Sequence, residues 1–145
     1  MYQQYDKAKA PSQERVEKFG YLSPMLDAAV VEMREFSKRK QDGIVSATKL
    51  KILNRLLSDI RDIVSGEETV NYFDPLDEED LPQNSDAVLV LGQYSAALKS
   101  FKSAHNRYIW TEHVWVTKEW IEEHNRLEQE DYEEEEEEEE EKKKN

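Results

Sequence analysis

The most regular apolar pattern in the chain lies between Ser46 and Gly66. Its apolar residues recur at steps of three and four, which places them on one stripe of an α-helix. The stripe consists of Leu50, Leu53, Leu56, Leu57, Ile60, Ile63 and Val64. Charged and polar residues fill the intervening positions, so the rest of the chain must supply apolar partners. Ser46 or Thr48 has the side chain of an N-cap and marks the start of this helix.

A second apolar stripe precedes the first one and predicts a helix over residues 24–41. Serine is a good N-cap and proline is tolerated in the first helical turn, so Ser23 and Pro24 mark its start. The stripe consists of Leu26, Ala29, Val30, Met33 and Phe36. We expect Gly43 to close this helix in a left-handed conformation. The short connection to the helix at 46–65 then predicts an antiparallel hairpin.

A third helix is predicted over residues 85–107, with Asn84 or Ser85 as its cap. Its packing seam consists of Ala87, Leu91, Tyr94, Leu98, Phe101, His105 and Tyr108. Val88, Leu89 and Val90 widen the apolar surface of its first turns, which favours central burial or an oligomer contact. Gly92 lies inside this helix, and we interpret it as a place where a neighbouring helix approaches closely.

The segment 107–117, RYIWTEHVWVT, is rich in aromatic and β-branched residues. It fits either a short strand or a tight turn region between helices. Thr117 is a candidate N-cap for a last helix over residues 117–132. Beyond Leu127 the apolar positions stop, and the repelling glutamates Glu133–Glu141 predict disorder or a frayed helical extension.

These patterns predict an all-α fold, an antiparallel helical bundle of about four helices with a long acidic loop before the third. The predicted organisation is a loosely ordered N-terminal segment at 1–20, a helical domain at 21–130, and a disordered acidic low-complexity tail at 131–145. A chain of 145 residues is long enough to bury a substantial core.

Charge is distributed unevenly along the chain. The net charge is −13, of which residues 131–145 carry −7 and residues 1–130 carry −6. Seven basic residues between Arg34 and Arg55 are followed by eight acidic and no basic ones between Glu67 and Asp86. In an antiparallel hairpin, the ends of the first two helices would bring together a basic corner of Lys38, Arg39, Lys40, Lys49 and Lys51. This corner is either a solvated turn or a site for an anion or a partner.

Several classes of function lack their sequence signals. The chain has no cysteine, no glycine-rich phosphate loop and no apolar run of membrane-spanning length. The three histidines lie eight and eleven residues apart, which matches no local zinc pattern, and the acidic run 77–80 lacks the ligand spacing of a calcium loop. We therefore expect no metal, no cofactor and no membrane, and a cytoplasmic location.

The aromatic segment suggests the first functional hypothesis, a non-catalytic interaction subunit, adaptor or inhibitor. Trp110, Trp115, Trp120 and Tyr108 are the candidate partner-binding residues, because tryptophan and tyrosine often anchor protein interfaces. The alternative for these side chains is that they close the core. A protein partner is expected, and homo-oligomerisation stays open.

The glutamate run suggests a second hypothesis, an acidic mimic of a polyanion that regulates a nucleic-acid-binding partner. A tail that only increases solubility is the alternative. The net charge disfavours direct binding of the chain to DNA or RNA.

A third hypothesis starts from Arg107 and His113, which form an Arg-x5-His pattern. The pattern resembles the Arg-x4-6-His ribonuclease motif of HEPN domains over seven residues, although Tyr108 replaces the polar residue that usually follows the arginine. The resemblance implies that Arg107 would hold phosphate and His113 would transfer protons during RNA cleavage, a role that suits imidazole.

Overall fold

Four α-helices account for most of the part of the chain that the structure describes, residues 5–145 of a computed structural model that is 72% helical. They are α1 (Gln13–Arg39), α2 (Ala47–Ile63), α3 (Asn84–His105) and α4 (Lys118–Lys144). Two strands, β1 (Asn106–Ile109) and β2 (Glu112–Trp115), form an antiparallel hairpin between α3 and α4. The prediction of a mainly helical chain with about four helices is confirmed.

The chain divides into two compact units. The three-helix unit is Glu14–Ala104 and contains most of α1, all of α2 and most of α3. The hairpin unit joins the N-terminal residues up to Gln13 to His105–Asn145, and it contains β1, β2 and α4.

Helix α2 lies with its apolar stripe in the core of the three-helix unit. Ile60 and Ile63 are fully buried, and Leu50, Leu53 and Leu57 are at most 5% exposed. The Ser46 side chain caps the helix by accepting a hydrogen bond from the backbone N–H of Lys49 at 3.2 Å. Both the stripe and this cap were predicted from the sequence, and both are confirmed.

Helices α1 and α2 are antiparallel, as predicted. Near the start of α1, the Arg15 guanidinium donates to the carbonyl oxygens of Ile63 and Ser65, each at 2.8 Å, at the end of α2. At the other end, Lys49 Nζ lies 3.6 Å from the ring centroid of Phe36. Burial lowers the pKa of Arg15, an effect that the charge of Glu67 partly offsets.

Helix α3 packs against both of these helices and runs parallel to α2. Its later part contacts the start of α1, where the rings of Phe101 and Phe19 stack with centroids 5.8 Å apart. Its first residue, Asn84, is buried and donates from its side-chain amide to the carbonyl of Lys40 at 2.9 Å. The predicted seam of α3 is confirmed for Ala87, Leu91, Tyr94, Leu98 and Phe101, which are all buried.

The predicted start of the first helix at Ser23 and Pro24 is wrong, because α1 begins ten residues earlier and contains Pro24 in its interior. Proline removes the backbone donor that would bond the carbonyl of residue 20. Gly20 is exposed, so water can satisfy that carbonyl. Val16 and Leu22 are buried in the segment before the proline, and their packing keeps that segment helical.

Three local predictions around α3 and the α1–α2 turn are also wrong. Gly43 does not adopt a left-handed conformation; a Cβ there would lie 2.8 Å from the Asn84 side-chain nitrogen, so glycine is needed for this close approach. Asn84 is the first residue of α3 rather than its cap, because its amide bonds the end of α1. Gly92 faces solvent, where an added Cβ would meet no atom within 4 Å, and Leu89 is 70% exposed, so neither lies in a close helix contact.

The acidic connection between α2 and α3 is held to the three-helix unit by specific contacts. It contains 3-10 helices at Glu68–Tyr72 and Glu78–Asp80. Phe73 stacks on Tyr94 with centroids 3.9 Å apart, and the carbonyl of Leu76 accepts from the Asn54 side chain at 2.9 Å. The Asp77 carboxylate caps the second of these short helices by accepting from the Glu79 N–H.

The hairpin unit has a small core of its own. Ala10, Val116 and Ile121 are buried there, with Tyr5, Ile109 and Trp120 packed against them. Thr117 is 1% exposed and caps α4 by accepting from the Trp120 N–H at 3.1 Å, as predicted. Lys7 forms an ion pair with Glu122, and the Lys118 N–H donates to the carbonyl of Pro11 at 2.9 Å.

The predicted disordered tail at 131–145 is wrong, since α4 continues to Lys144. Glutamate favours helix, and Lys142, Lys143 and Lys144 lie at the negative end of the helix dipole. A hydrogen bond to Glu123, followed by the charges of Glu123 and Glu130, raises the pKa of Arg126 in the preceding turns. Ile121 is the buried residue of α4, so the acidic part of this helix lies in solvent.

The core position of α2 leads to a stability prediction with a matched control on the same helix. Ile60→Ala should lower the free energy of unfolding by about 2–5 kcal/mol, because a fully buried isoleucine would leave a cavity. Ile52→Ala removes the same atoms at a position that is 54% exposed, and should change stability by about 0.5 kcal/mol or less. Urea denaturation followed by circular dichroism measures both variants, and equal losses would contradict the assignment of this core.

Candidate functional site

The turn of the β-hairpin places a large aromatic side chain in an unusual backbone conformation. Strand pairing brings Ile109 opposite Glu112, so Trp110 and Thr111 form a two-residue turn. Trp110 has φ of 62°, in the left-handed region that glycine, asparagine and aspartate normally occupy. Its side chain is 87% exposed, so packing within the chain does not hold it there.

Tyr108 lies next to this turn and is also exposed. It pairs with His113 across the hairpin, and their rings contact edge to face with centroids 5.2 Å apart. Its side chain is 65% exposed. We call the exposed side chains of Tyr108 and Trp110 the hairpin surface; the His113 ring supports that of Tyr108.

The other two predicted partner-binding tryptophans lie elsewhere in the hairpin unit. Trp120 packs against its small core, with its ring edge to face against Tyr5 at 5.2 Å and stacked on His124 at 4.8 Å. Trp115 is half-buried at the end of β2. The four aromatic residues therefore separate into two exposed ones and two that are partly buried.

The hairpin does not bring together Arg107 and His113, the residues of the ribonuclease pattern. Arg107 pairs with Val114, whereas His113 pairs with Tyr108. Side chains of successive strand residues point to opposite faces, and directly paired residues share a face. Arg107 and His113 therefore lie on opposite faces of the sheet.

The basic corner predicted from the α1–α2 hairpin is formed in part. Lys49 packs over Phe36, and Lys38 Nζ lies 3.2 Å from a carboxylate oxygen of Glu35. Lys40 follows the end of α1, and its carbonyl accepts from Gly43 and Asn84. Arg39, Lys40 and Lys51 are exposed. The corner thus consists of cations that are partly occupied by contacts within the same unit and partly in solvent.

The acidic connection borders a cleft of about 410 Å³ in the three-helix unit. Its polar side chains bond within the chain: Arg61 donates to the Tyr94 hydroxyl at 2.6 Å, and Asp74 accepts from the Gln93 amide at 2.7 Å. Within residues 5–145, no three His, Asp or Glu side chains are grouped so that they could bind a metal ion. None of the helices in that range combines the length and the apolar character needed to cross a membrane.

Comparisons with known proteins give no further assignment, because no family model, no curated protein and no solved structure matches this chain. The candidate site therefore rests on the geometry of the hairpin alone.

Sequence reasoning identified Tyr108 and Trp110 as candidates but not the features that separate them from Trp115 and Trp120. The two-residue turn lacks the Asn-Gly or Asp-Gly pair that predicts a hairpin. The β-branched and aromatic composition of the segment was the available signal, and it left a strand and a turn equally open.

The strained turn leads to a prediction about local stability. Trp110→Gly should slow hydrogen exchange of the cross-strand amides of Arg107 and Ile109 by about two- to fivefold, because it removes a left-handed penalty of about 1–2 kcal/mol that glycine's greater flexibility only partly offsets. Trp110→Ala is the control, since it removes the ring but keeps a Cβ at positive φ. Exchange measured by NMR should be unchanged or faster in this variant, and equal slowing in both would contradict the assignment of strain.

Proposed function

We propose that this chain is a non-catalytic protein-interaction subunit, adaptor or inhibitor that holds a protein partner through the hairpin surface. The observation that carries this proposal is the position of Trp110, which is 87% exposed at positive φ. A left-handed conformation costs a non-glycine residue about 1–2 kcal/mol. An exposed tryptophan at such a position stabilises nothing in the free chain, so its contribution is to an interface.

The chemistry of the hairpin surface supports the same conclusion. Tryptophan and tyrosine are enriched among the residues that dominate binding energy, because each buries a large rigid area with little loss of conformational entropy. Tyr108 and Trp110 lie within three residues of each other on a hairpin whose base is fixed by the core around Val116 and Ile121. The surface is thus presented on a supported element rather than on a loop.

Mutation of the hairpin surface should separate binding from folding. Trp110→Ala should weaken partner binding about 30-fold or more, the effect of losing an interface residue worth at least about 2 kcal/mol. The partner is first identified by affinity purification and mass spectrometry from cells of the source organism. Binding of the purified partner is then measured by titration calorimetry.

The matched control for this experiment is Leu89→Ala, which truncates a side chain that is 70% exposed on the three-helix unit. It should leave affinity within about twofold of the unmodified chain, as expected away from an interface. Unchanged affinity in Trp110→Ala and in Tyr108→Ala, with both proteins folded, would exclude the hairpin surface as the binding site.

A second candidate function, a polyanion mimic that occupies a basic nucleic-acid-binding partner, is favoured by the helical geometry of the acidic segment. Glu133–Glu141 are consecutive exposed residues of α4. A helix rises about 1.5 Å per residue, so this segment carries one negative charge per 1.5 Å of its axis. Double-stranded DNA carries one per about 1.7 Å, so the charge densities are closely similar.

Replacement of Glu133–Glu141 by glutamine tests this second candidate, because glutamine keeps the length and helix preference of the segment while removing its charge. Affinity for a basic nucleic-acid-binding protein captured as a partner should fall, and its dependence on salt concentration should flatten. Titrations at several salt concentrations measure both quantities. The same affinity and the same salt dependence in the glutamine variant would show that the acidic segment does not bind.

A further inference from the structure

The backbone of the hairpin leaves one set of hydrogen-bonding groups on the outer edge of β1. Hydrogen-bonded and non-hydrogen-bonded pairs alternate along an antiparallel ladder. The Val116 N–H donates to the His105 carbonyl at 2.8 Å, which makes that pair a hydrogen-bonded one. By the register, Arg107–Val114 and Ile109–Glu112 are then hydrogen-bonded pairs as well. The N–H and C=O groups of Asn106 and Tyr108 therefore point away from β2.

This outer edge is unpaired within the described part of the chain. In residues 5–145 the sheet consists of β1 and β2 alone. The opposite edge is partly used by the chain itself, since the Trp115 carbonyl accepts from the Thr117 N–H at 3.1 Å. A two-stranded sheet is marginally stable in water, and a third strand stabilises it.

We propose that the partner binds by adding an extended segment to the outer edge of β1 as a third strand, an inference that rests on the proposed function of the hairpin surface. An extended backbone has the alternating donors and acceptors that match those of Asn106 and Tyr108. The side chain of the added strand that lies beside Tyr108 contacts an exposed aromatic ring. Aromatic or β-branched residues suit that position, because such cross-strand pairs stabilise a sheet.

A second copy of this chain fits the edge poorly. If two β1 strands paired so that both Asn106 and Tyr108 bonded across the new edge, the two-fold axis would pass through Arg107. Each Arg107 would then face its copy in a non-hydrogen-bonded pair, where side chains are closest and like charges are destabilising. The added strand is therefore a segment of a different protein, and a residue opposite Arg107 that is neutral or acidic suits it.

Substitutions at Tyr108 distinguish strand addition from contact through side chains. Tyr108→Thr removes the ring but keeps the outward N–H in a residue that favours strands. Tyr108→Pro removes the ring and the outward N–H, while the cross-strand hydrogen bonds of the hairpin stay intact because Tyr108 is in a non-hydrogen-bonded pair. The probe is a set of 12-residue peptides selected for binding to the full chain from a random displayed library. Strand addition predicts that Tyr108→Pro binds them at least tenfold more weakly than Tyr108→Thr does.

Amide exchange in the unmodified chain tests the same proposal without any variant. Saturating peptide should slow exchange of the Asn106 and Tyr108 amides at least tenfold while the His113 amide, on the opposite edge, continues to exchange as before. Unchanged exchange at Tyr108, or equal affinities of the proline and threonine variants, would overturn strand addition. If no peptide is enriched, or if Tyr108 becomes protected with rising protein concentration and no peptide, strand addition by a partner is equally wrong.

These outcomes are separable from those that test the proposed function. Weaker binding in both Trp110→Ala and Tyr108→Thr, with no further loss in Tyr108→Pro, would leave the hairpin surface as a docking site and exclude only the added strand. Full binding in all three variants would exclude both.

Discussion

The burial of one face of α2 between α1 and α3 is the interaction on which the three-helix unit depends. Ile60, Ile63 and Val64 are fully buried at the end of that face, where the hydrophobic contribution of each side chain is largest. The antiparallel course of α1 and the parallel course of α3 both follow from covering this stripe from two sides. Exposed positions such as Ile52 are left on the outer face.

Polar contacts fix the two ends of this unit where apolar packing alone would not set the register. Arg15 satisfies carbonyl groups at the end of α2, which no helix can pair internally. At the opposite end, Asn84 donates to the end of α1, and its backbone N–H donates to Gly43 at 2.8 Å. The lowered pKa of Arg15 reflects the burial needed to reach those carbonyls, and arginine remains charged there.

The hairpin unit follows a different principle, because its exposed part is less stable than its sequence would allow. Its base is held by Val116 and Ile121, whereas its turn holds Trp110 at positive φ and in solvent. Strained residues concentrate where function requires a particular side chain in a particular place. The unpaired edge of β1 adjoins this turn, so strain, exposed aromatic area and free backbone groups occur on one short element.

The sequence by itself determined the helices whose apolar residues repeat at helical spacing, because that spacing follows from backbone geometry. It predicted α2, the seam of α3 and the caps Ser46 and Thr117, since each depends on residues close together in the chain. Only the tertiary structure decided where α1 begins, how Asn84 and Gly43 approach each other, and which aromatic residues near the hairpin are exposed. Those outcomes depend on contacts between residues distant in sequence, and packing at Val16 and Leu22 overrides the local signal of Pro24.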